Sequence, residues 1–199
     1  MREFSGYSVD RRGGRRAKIK IIMKLLMHIC CANCALYPTT VMRDRGITLK
    51  GFWYNPNIHP YTEYKKRLDS LQRLQSLWNL DVEYEDFYGL KEYLRHVAGN
   101  EDSRCEYCYA VRLEKTARKA QEIKADAFTS SLLVSPYQKF DMIMDIGRLM
   151  QEKYAVEFYG EDFRKGFAQG RKMSRELQLY RQKYCGCVYS EMERYLKVS

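Results

Sequence analysis

Apolar and polar positions along this chain keep two rhythms in alternation. Residues 20–29 (KIIMKLLMHI) form a near-continuous apolar run ending in a cysteine-rich turn, the profile of a buried strand. Residues 34–45 take helical spacing closed by Gly46, and 47–54 (ITLKGFWY) predict a second strand ended by the turn Asn55–Pro56–Asn57. From Pro60 onward, Tyr61, Tyr64, Leu68, Leu71, Leu74 and Trp78 recur at intervals of three and four, giving a long amphipathic helix. Residues 81–87 alternate as a third strand, and 89–98 form a short helix. Ser103 and Glu106 have the spacing of a capping box for a helix reaching to about Lys124. Residues 126–134 (DAFTSSLLV) predict a fourth strand, Ser135–Pro136 opens a helix to about Tyr154, and 155–159 predict a fifth strand. The remainder is helical around a CGC turn.

This order implies an α/β fold: a mostly parallel five-stranded, Rossmann-like sheet with helices on both faces and a helical C-terminal portion. Ligands of such sheets occupy the crevice beyond the carboxyl ends of the strands, where the first strand here delivers its cysteines. Residues 1–18, with five arginines and Gly13–Gly14, are expected to be a flexible basic extension, and 19–199 one domain.

The cysteines change the picture most. All seven fall in three tight groups: Cys30, Cys31 and Cys34 in HICCANC, Cys105 and Cys108 in CEYC, and Cys185 and Cys187 in CGC. Short Cys–Cys spacings in polar, turn-prone sequence point to a metal or iron–sulfur centre. Seven thiols exceed one closed tetrahedral zinc site, and a thioredoxin-like dithiol at CEYC would leave five unexplained. A cluster with a second metal, or with reactive thiols beside it, accounts for the surplus. An odd count and the adjacent pair Cys30–Cys31 argue against a secreted disulfide scaffold, so a cytoplasmic protein is expected. No apolar run approaches the roughly 18–20 residues that span a bilayer, and no membrane association is expected. Cys105 and Cys108 lie in the first turns of one helix, while Cys34 and Cys187 are expected to open two others; three helix N-termini converging would favour thiolates.

Charge adds a weaker indication. The net charge is +10, but residues 1–26 alone carry +6, leaving +4 for the body. Within the body, Arg164, Lys165, Arg171, Lys172, Arg175, Arg181 and Lys183 crowd one segment together with aromatics. That pattern reads equally as a solvated helix face or as a phosphate-backbone track. Tyr37, Tyr109, Tyr137 and Tyr184 adjoin the cysteine groups or the SPYQ turn and are candidates to stack on a base or donate to a substrate oxygen. Of the histidines, His28 reads as a satisfied core group, His59 as a candidate for the crevice wall and His96 as a surface residue. Phosphate loops of the SGGxDS, GxxxxGK[ST] and GxGxxG types are absent from the sequence, so ATP or dinucleotide use has no support.

Five blocks in order, HICCANCALYP, FWYNPNIHPYTEYKKR, CEYCYAVRLEKTA, SLLVSPYQ and YRQKYCGCVYS, resemble the cobalamin-independent epoxyqueuosine reductase family over roughly residues 24–197. The resemblance implies an adenine-nucleotide α-hydrolase-like fold and reduction of epoxyqueuosine to queuosine in tRNA. It also implies a [4Fe–4S] cluster beside a second mononuclear metal ion, with iron the expected metal. By position all seven cysteines match the family's metal-binding motifs. Cys30, Cys34, Tyr37, Tyr109 and Tyr137 are then the catalytic candidates, Cys31, Cys105, Cys108, Cys185 and Cys187 the cofactor-binding ones, and all seven cysteines metal ligands, with the division of thiols between cluster and second ion left open. The implied partners are tRNA carrying epoxyqueuosine and an electron donor such as a ferredoxin or flavodoxin. Two alternatives stand: an iron–sulfur tRNA thiolation enzyme, which should carry a pyrophosphate loop where this chain has CCANC, and a zinc-stabilised RNA-binding module.

Overall fold

The computed structural model describes residues 23–196, so the basic extension lies outside the described residues. Five strands form one parallel sheet in the order β3-β2-β1-β4-β5. They are β1 (Lys24–His28), β2 (Thr48–Trp53), β3 (Asp81–Tyr84), β4 (Ala127–Ser130) and β5 (Glu157–Phe158). β1 is central: His28 is level with Phe52 on one side and with Ser130 on the other. The chain runs outward from β1 to β3, then returns past β1 to β4. That reversal opens a crevice at the carboxyl end of β1.

Among the described residues, α1 (Ala32–Asp44), α2 (Tyr61–Trp78), α3 (Leu90–Val97), α4 (Arg104–Glu122) and α5 (Phe140–Tyr154) lie between the strands, and α6 (Phe167–Glu176) and α7 (Val188–Tyr195) follow the last one. Neighbouring residues on a strand point to opposite faces, and Trp53 and Phe52 divide accordingly. Trp53 packs with Met27, Ile29 and the α2 residues Tyr64, Leu68, Leu71 and Leu74. Phe52 packs with Phe128, Leu113 and Ala117 of α4, and Ile143 of α5. Buried leucine-sized side chains stabilise by about 1.5–3 kcal/mol each, so the two cores fix the sheet from both sides.

Several predicted boundaries move. The fourth strand ends at Ser130, and Ser131–Val134 coil into a 3₁₀ turn capped by Ser130, whose Oγ accepts from Leu132 N at 3.2 Å. Leu132 and Leu133 are buried as expected, but a short apolar run does not distinguish strand from helix. Ser135–Pro136 does not start a helix: Ser135 Oγ accepts from Tyr137 N and its carbonyl accepts from Gln138 N, a local turn, and α5 begins at Phe140. The capping box is also unformed. A 3₁₀ turn over Glu101–Ser103 leads into α4, and the Ser103 hydroxyl donates to the Asn100 carbonyl instead. Strand three stops at Tyr84, short of residue 87.

Candidate metal centre

β1 ends at His28 and turns directly into the first cysteine motif. The ring of His28 is fully buried and bonded at both nitrogens, Nδ1 to Ser130 Oγ at 2.9 Å and Nε2 to Asn55 Oδ1 at 3.2 Å. Asn55 Nδ2 donates to the Ile29 carbonyl at 2.9 Å, and the Cys30 N–H donates to Ser131 Oγ at 3.0 Å. Residues just beyond the ends of β2 and β4 thus fasten this turn on both sides. Cys31 is the N-cap of α1, its Sγ accepting from Cys34 N at 3.4 Å, so the helix opens at Ala32 and Cys34 sits within its first turn.

The sulfurs of Cys30, Cys31 and Cys34 all lie within 4.8 Å of one another. All three are buried. Hydrogen bonds from Cys31 and Cys34 hold the Cys30 thiol well below the usual range, while burial pushes Cys31 up to about 12 and Cys34 is raised beside the Cys30 thiolate. A metal ion would let all three ionise, which is the ordinary coupling of metal binding to proton release.

The other four cysteines line a second chamber. Cys105 and Cys108 come from the first turns of α4, and Cys185 and Cys187 from the loop before α7, of which Cys187 is the N-cap. Among the described residues the trio is the one group of three ligating side chains gathered tightly enough to hold a single ion. Ligands to separate corners of a cluster stand farther apart than ligands to one ion. Donation from Cys185 holds Cys187 down at about 4 and Cys185 correspondingly high, and burial pushes Cys108 up to about 11. Two buried donors on this chamber have no partner, the Tyr93 hydroxyl, which faces Cys187, and Arg104 Nε. Buried polar atoms are rarely left unsatisfied. The seven thiols thus lie in two groups, the trio and the quartet.

A groove of about 900 Å³ joins them, lined by Cys30 and Cys34 of the trio and by Cys185 of the quartet. Its walls carry exposed Arg171, Arg181, Lys183 and Arg194, with Tyr137, Phe167, Tyr180 and Tyr184 between them and one acid, Glu193. Within the basic segment Arg164 is instead paired with Asp162 and stacked over Phe140. Lys172 faces Glu176.

The candidate tyrosines scatter. Tyr137 is 78% exposed on the groove, edge-on to Phe167. Tyr109 lines the quartet's chamber and donates to Gln138 Oε1 at 2.8 Å. Tyr184 donates to the His59 carbonyl at 2.7 Å. Tyr37 lines neither cavity, its ring being pressed against Gly166. His59 is buried against Tyr88 and Tyr93, and His96 is an exposed residue stacked on Tyr107.

Three residues at the thiols escaped the sequence reading. Gln182 Nε2 donates to Cys31 Sγ at 3.0 Å, and its own Oε1 accepts from Asn33 at 2.8 Å. Nothing local marks Gln182. Arg67, paired with Glu63 at 2.7 Å, donates to the carbonyls of Cys185 and Tyr184 at 2.8 and 2.9 Å and so shapes the CGC loop. Arg112 donates to Cys108 Sγ at 2.9 Å, and its position four after Cys108 on a helix was a usable signal.

Residues 25–193 match the family described as epoxyqueuosine reductase QueH. An epoxyqueuosine reductase QueH of Dehalococcoides mccartyi is 38% identical over 174 residues, covering 87% of this chain and 96% of that protein. One from Thermotoga maritima is 38% identical over 181 residues, covering 85% and 91%. Among solved structures, the U34-tRNA thiolase NcsA from Methanococcus maripaludis with its [4Fe-4S] cluster superposes with a TM-score of 0.52 at 16% identity, over 84% of this chain and 61% of that one. At that identity the likeness is one of fold, the adenine-nucleotide α-hydrolase type expected from the sequence. The match across nearly all the described residues, cysteine blocks included, means that this chain belongs to the epoxyqueuosine reductase QueH family.

Proposed function

We propose that this protein reduces epoxyqueuosine to queuosine in tRNA, with Cys105, Cys108, Cys185 and Cys187 holding a [4Fe–4S] cluster and Cys30, Cys31 and Cys34 holding a second, mononuclear iron. The observation that carries this reading is the division of seven sulfurs into four that line one chamber and a tight three, with Cys30, Cys34 and Cys185 opening on one groove. Four thiolates are the usual ligand set of such a cluster, and three protein ligands with an open position are the usual set of a catalytic ion. The unpartnered donors Tyr93 OH and Arg104 Nε suit an anionic guest in the quartet's chamber. When bound, a cluster supplies single electrons at low potential and a mononuclear ion supplies Lewis acidity.

The overall change is an epoxide plus two electrons and two protons giving an alkene and water. The protein's own part is to bind, orient and protonate. Arg171, Arg181, Lys183 and Arg194 offer counter-charge to an RNA backbone, and Tyr137 with Phe167 offers a face on which a base stacks. Of the candidate tyrosines, Tyr137 is the one on the groove whose hydroxyl has no partner among the described residues, so it is free to deliver a proton to the departing oxygen. Tyr109, committed to Gln138 and accepting from Lys139 N at 3.2 Å, orders the loop between β4 and α5. A tRNA substrate and reduced thiols suit the cytoplasm, with a one-electron carrier of the ferredoxin or flavodoxin class as donor.

The test is anaerobic. Purified protein should contain about four sulfides and about five irons per chain, and with a low-potential reductant it should convert epoxyqueuosine in tRNA to queuosine, read by mass spectrometry of the nucleosides. A colourless zinc protein without sulfide or conversion would leave an RNA-binding module. A product gaining sulfur would point to thiolation.

A further inference from the structure

Two arginines are buried beside the thiols, and only one has an acidic partner. Arg67, 1% exposed, is neutralised by Glu63. Arg112, 3% exposed, meets no carboxylate among the described residues. Its Nε donates to the Cys108 carbonyl at 2.8 Å, its Nη2 to Cys108 Sγ at 2.9 Å, and its guanidinium lies 5.7 Å from the centre of the Tyr109 ring. A buried cation without compensation is strongly destabilising, and a guanidinium does not escape by losing its proton. Among the described residues the one side chain it hydrogen-bonds is that of Cys108, a member of the quartet whose chamber it also lines.

We propose that Arg112 is a positioning residue of the quartet, holding Cys108 as a ligating thiolate and offsetting the charge that a one-electron reduction adds to a cluster there. This rests on the reading of the quartet as a cluster site. Hydrogen bonds to ligand sulfur and nearby positive charge both raise the potential at which such a cluster accepts an electron. The electron comes from an external one-electron carrier, dithionite with mediators in the test. No bond is made or broken at Arg112, and the guanidinium keeps its protons throughout.

The experiment is a potentiometric titration of the anaerobically purified holoenzyme, followed by electron paramagnetic resonance, with iron and sulfide counted in the same samples. Arg112→Gln should shift the midpoint to more negative potential. Arg112→Lys keeps the charge but cannot reproduce the two-pronged donation to Cys108, and should fall between. Midpoints equal to the wild type in both variants, at full iron and sulfide, would overturn the proposal while leaving the cluster reading intact. Should Arg112→Gln fail to fold, the lysine variant decides: a negative shift supports the proposal, and a wild-type midpoint makes Arg112 a packing residue and overturns it. Wild-type protein lacking sulfide would overturn this proposal and the cluster reading together.

Discussion

Gln182 donates from Nε2 to Cys31 Sγ at 3.0 Å across 151 positions of chain, and the same amide reaches toward Cys34 Sγ at 3.6 Å. Asn33 fixes that amide by donating to its oxygen, and Ser174 of α6 donates in turn to Asn33. Groups that orient metal ligands typically change affinity by about 10–100-fold when removed. Gln182→Leu is expected to keep its sulfide content and to lose affinity for the second ion by that factor. Iron retention against a graded chelator measures it; unchanged retention would detach Gln182 from the site.

The two thiol groups should fail separately. Cys31→Ser is expected to leave about four sulfides per chain and to lose the iron beyond the cluster. Cys105→Ser or Cys187→Ser should lose sulfide itself. Sulfide and iron analysis of the three variants reads this directly, and sulfide loss on replacing Cys31 would merge the two groups into one.

Binding of an anticodon stem-loop lacking the modified base tests the groove without any chemistry. Arg181→Gln and Lys183→Gln should each lower the slope of log affinity against log salt by about 0.7. Tyr137→Ala should weaken binding by about 1–3 kcal/mol through lost stacking. Fluorescence anisotropy at several salt concentrations supplies both numbers. Flat responses would move the RNA to another face.

Tyr37 and Tyr137 should part company in turnover. Tyr137→Phe is expected to slow conversion while stem-loop binding stays near wild type, because the ring remains. Tyr37→Phe should turn over as the wild type does, since Tyr37 reaches neither cavity. A slow Tyr37→Phe enzyme would show that α6 moves to admit it.

Packing around Tyr37 predicts a stability effect. A Cβ at Gly166 would stand 2.1 Å from the Tyr37 ring, so Gly166→Ala must displace an aromatic held between α1 and α6. Overpacking of this kind typically costs about 1–3 kcal/mol, and chemical denaturation of the two proteins should find a loss in that range.

How much of this was legible depended on how local each signal is. The alternation of strands and helices follows from the two periodicities, and the cysteine groups declare themselves by spacing; both are patterns within a dozen residues. Which sulfurs share a chamber is not local, because Cys185 and Cys187 meet Cys105 and Cys108 only through the packing of α7's start beside α4. Gln182 and Arg67 act across more than a hundred positions, and no spacing rule connects them to a thiol. The serines misled for another reason. Ser103 and Ser135 both satisfy turns that precede a helix, and the short-range chemistry of a turn and of a cap is the same.

Gly186 stands between the last two cysteines at φ +149°, a backbone state that side-chain-bearing residues rarely enter. A Cβ there would come within 3.3 Å of Arg67 Nη1 and of Ile58. On either side of it the Cys185 and Cys187 sulfurs open on the same chamber. A chain with alanine at this point would keep every sulfur and lose the posture that lets two of them greet one guest.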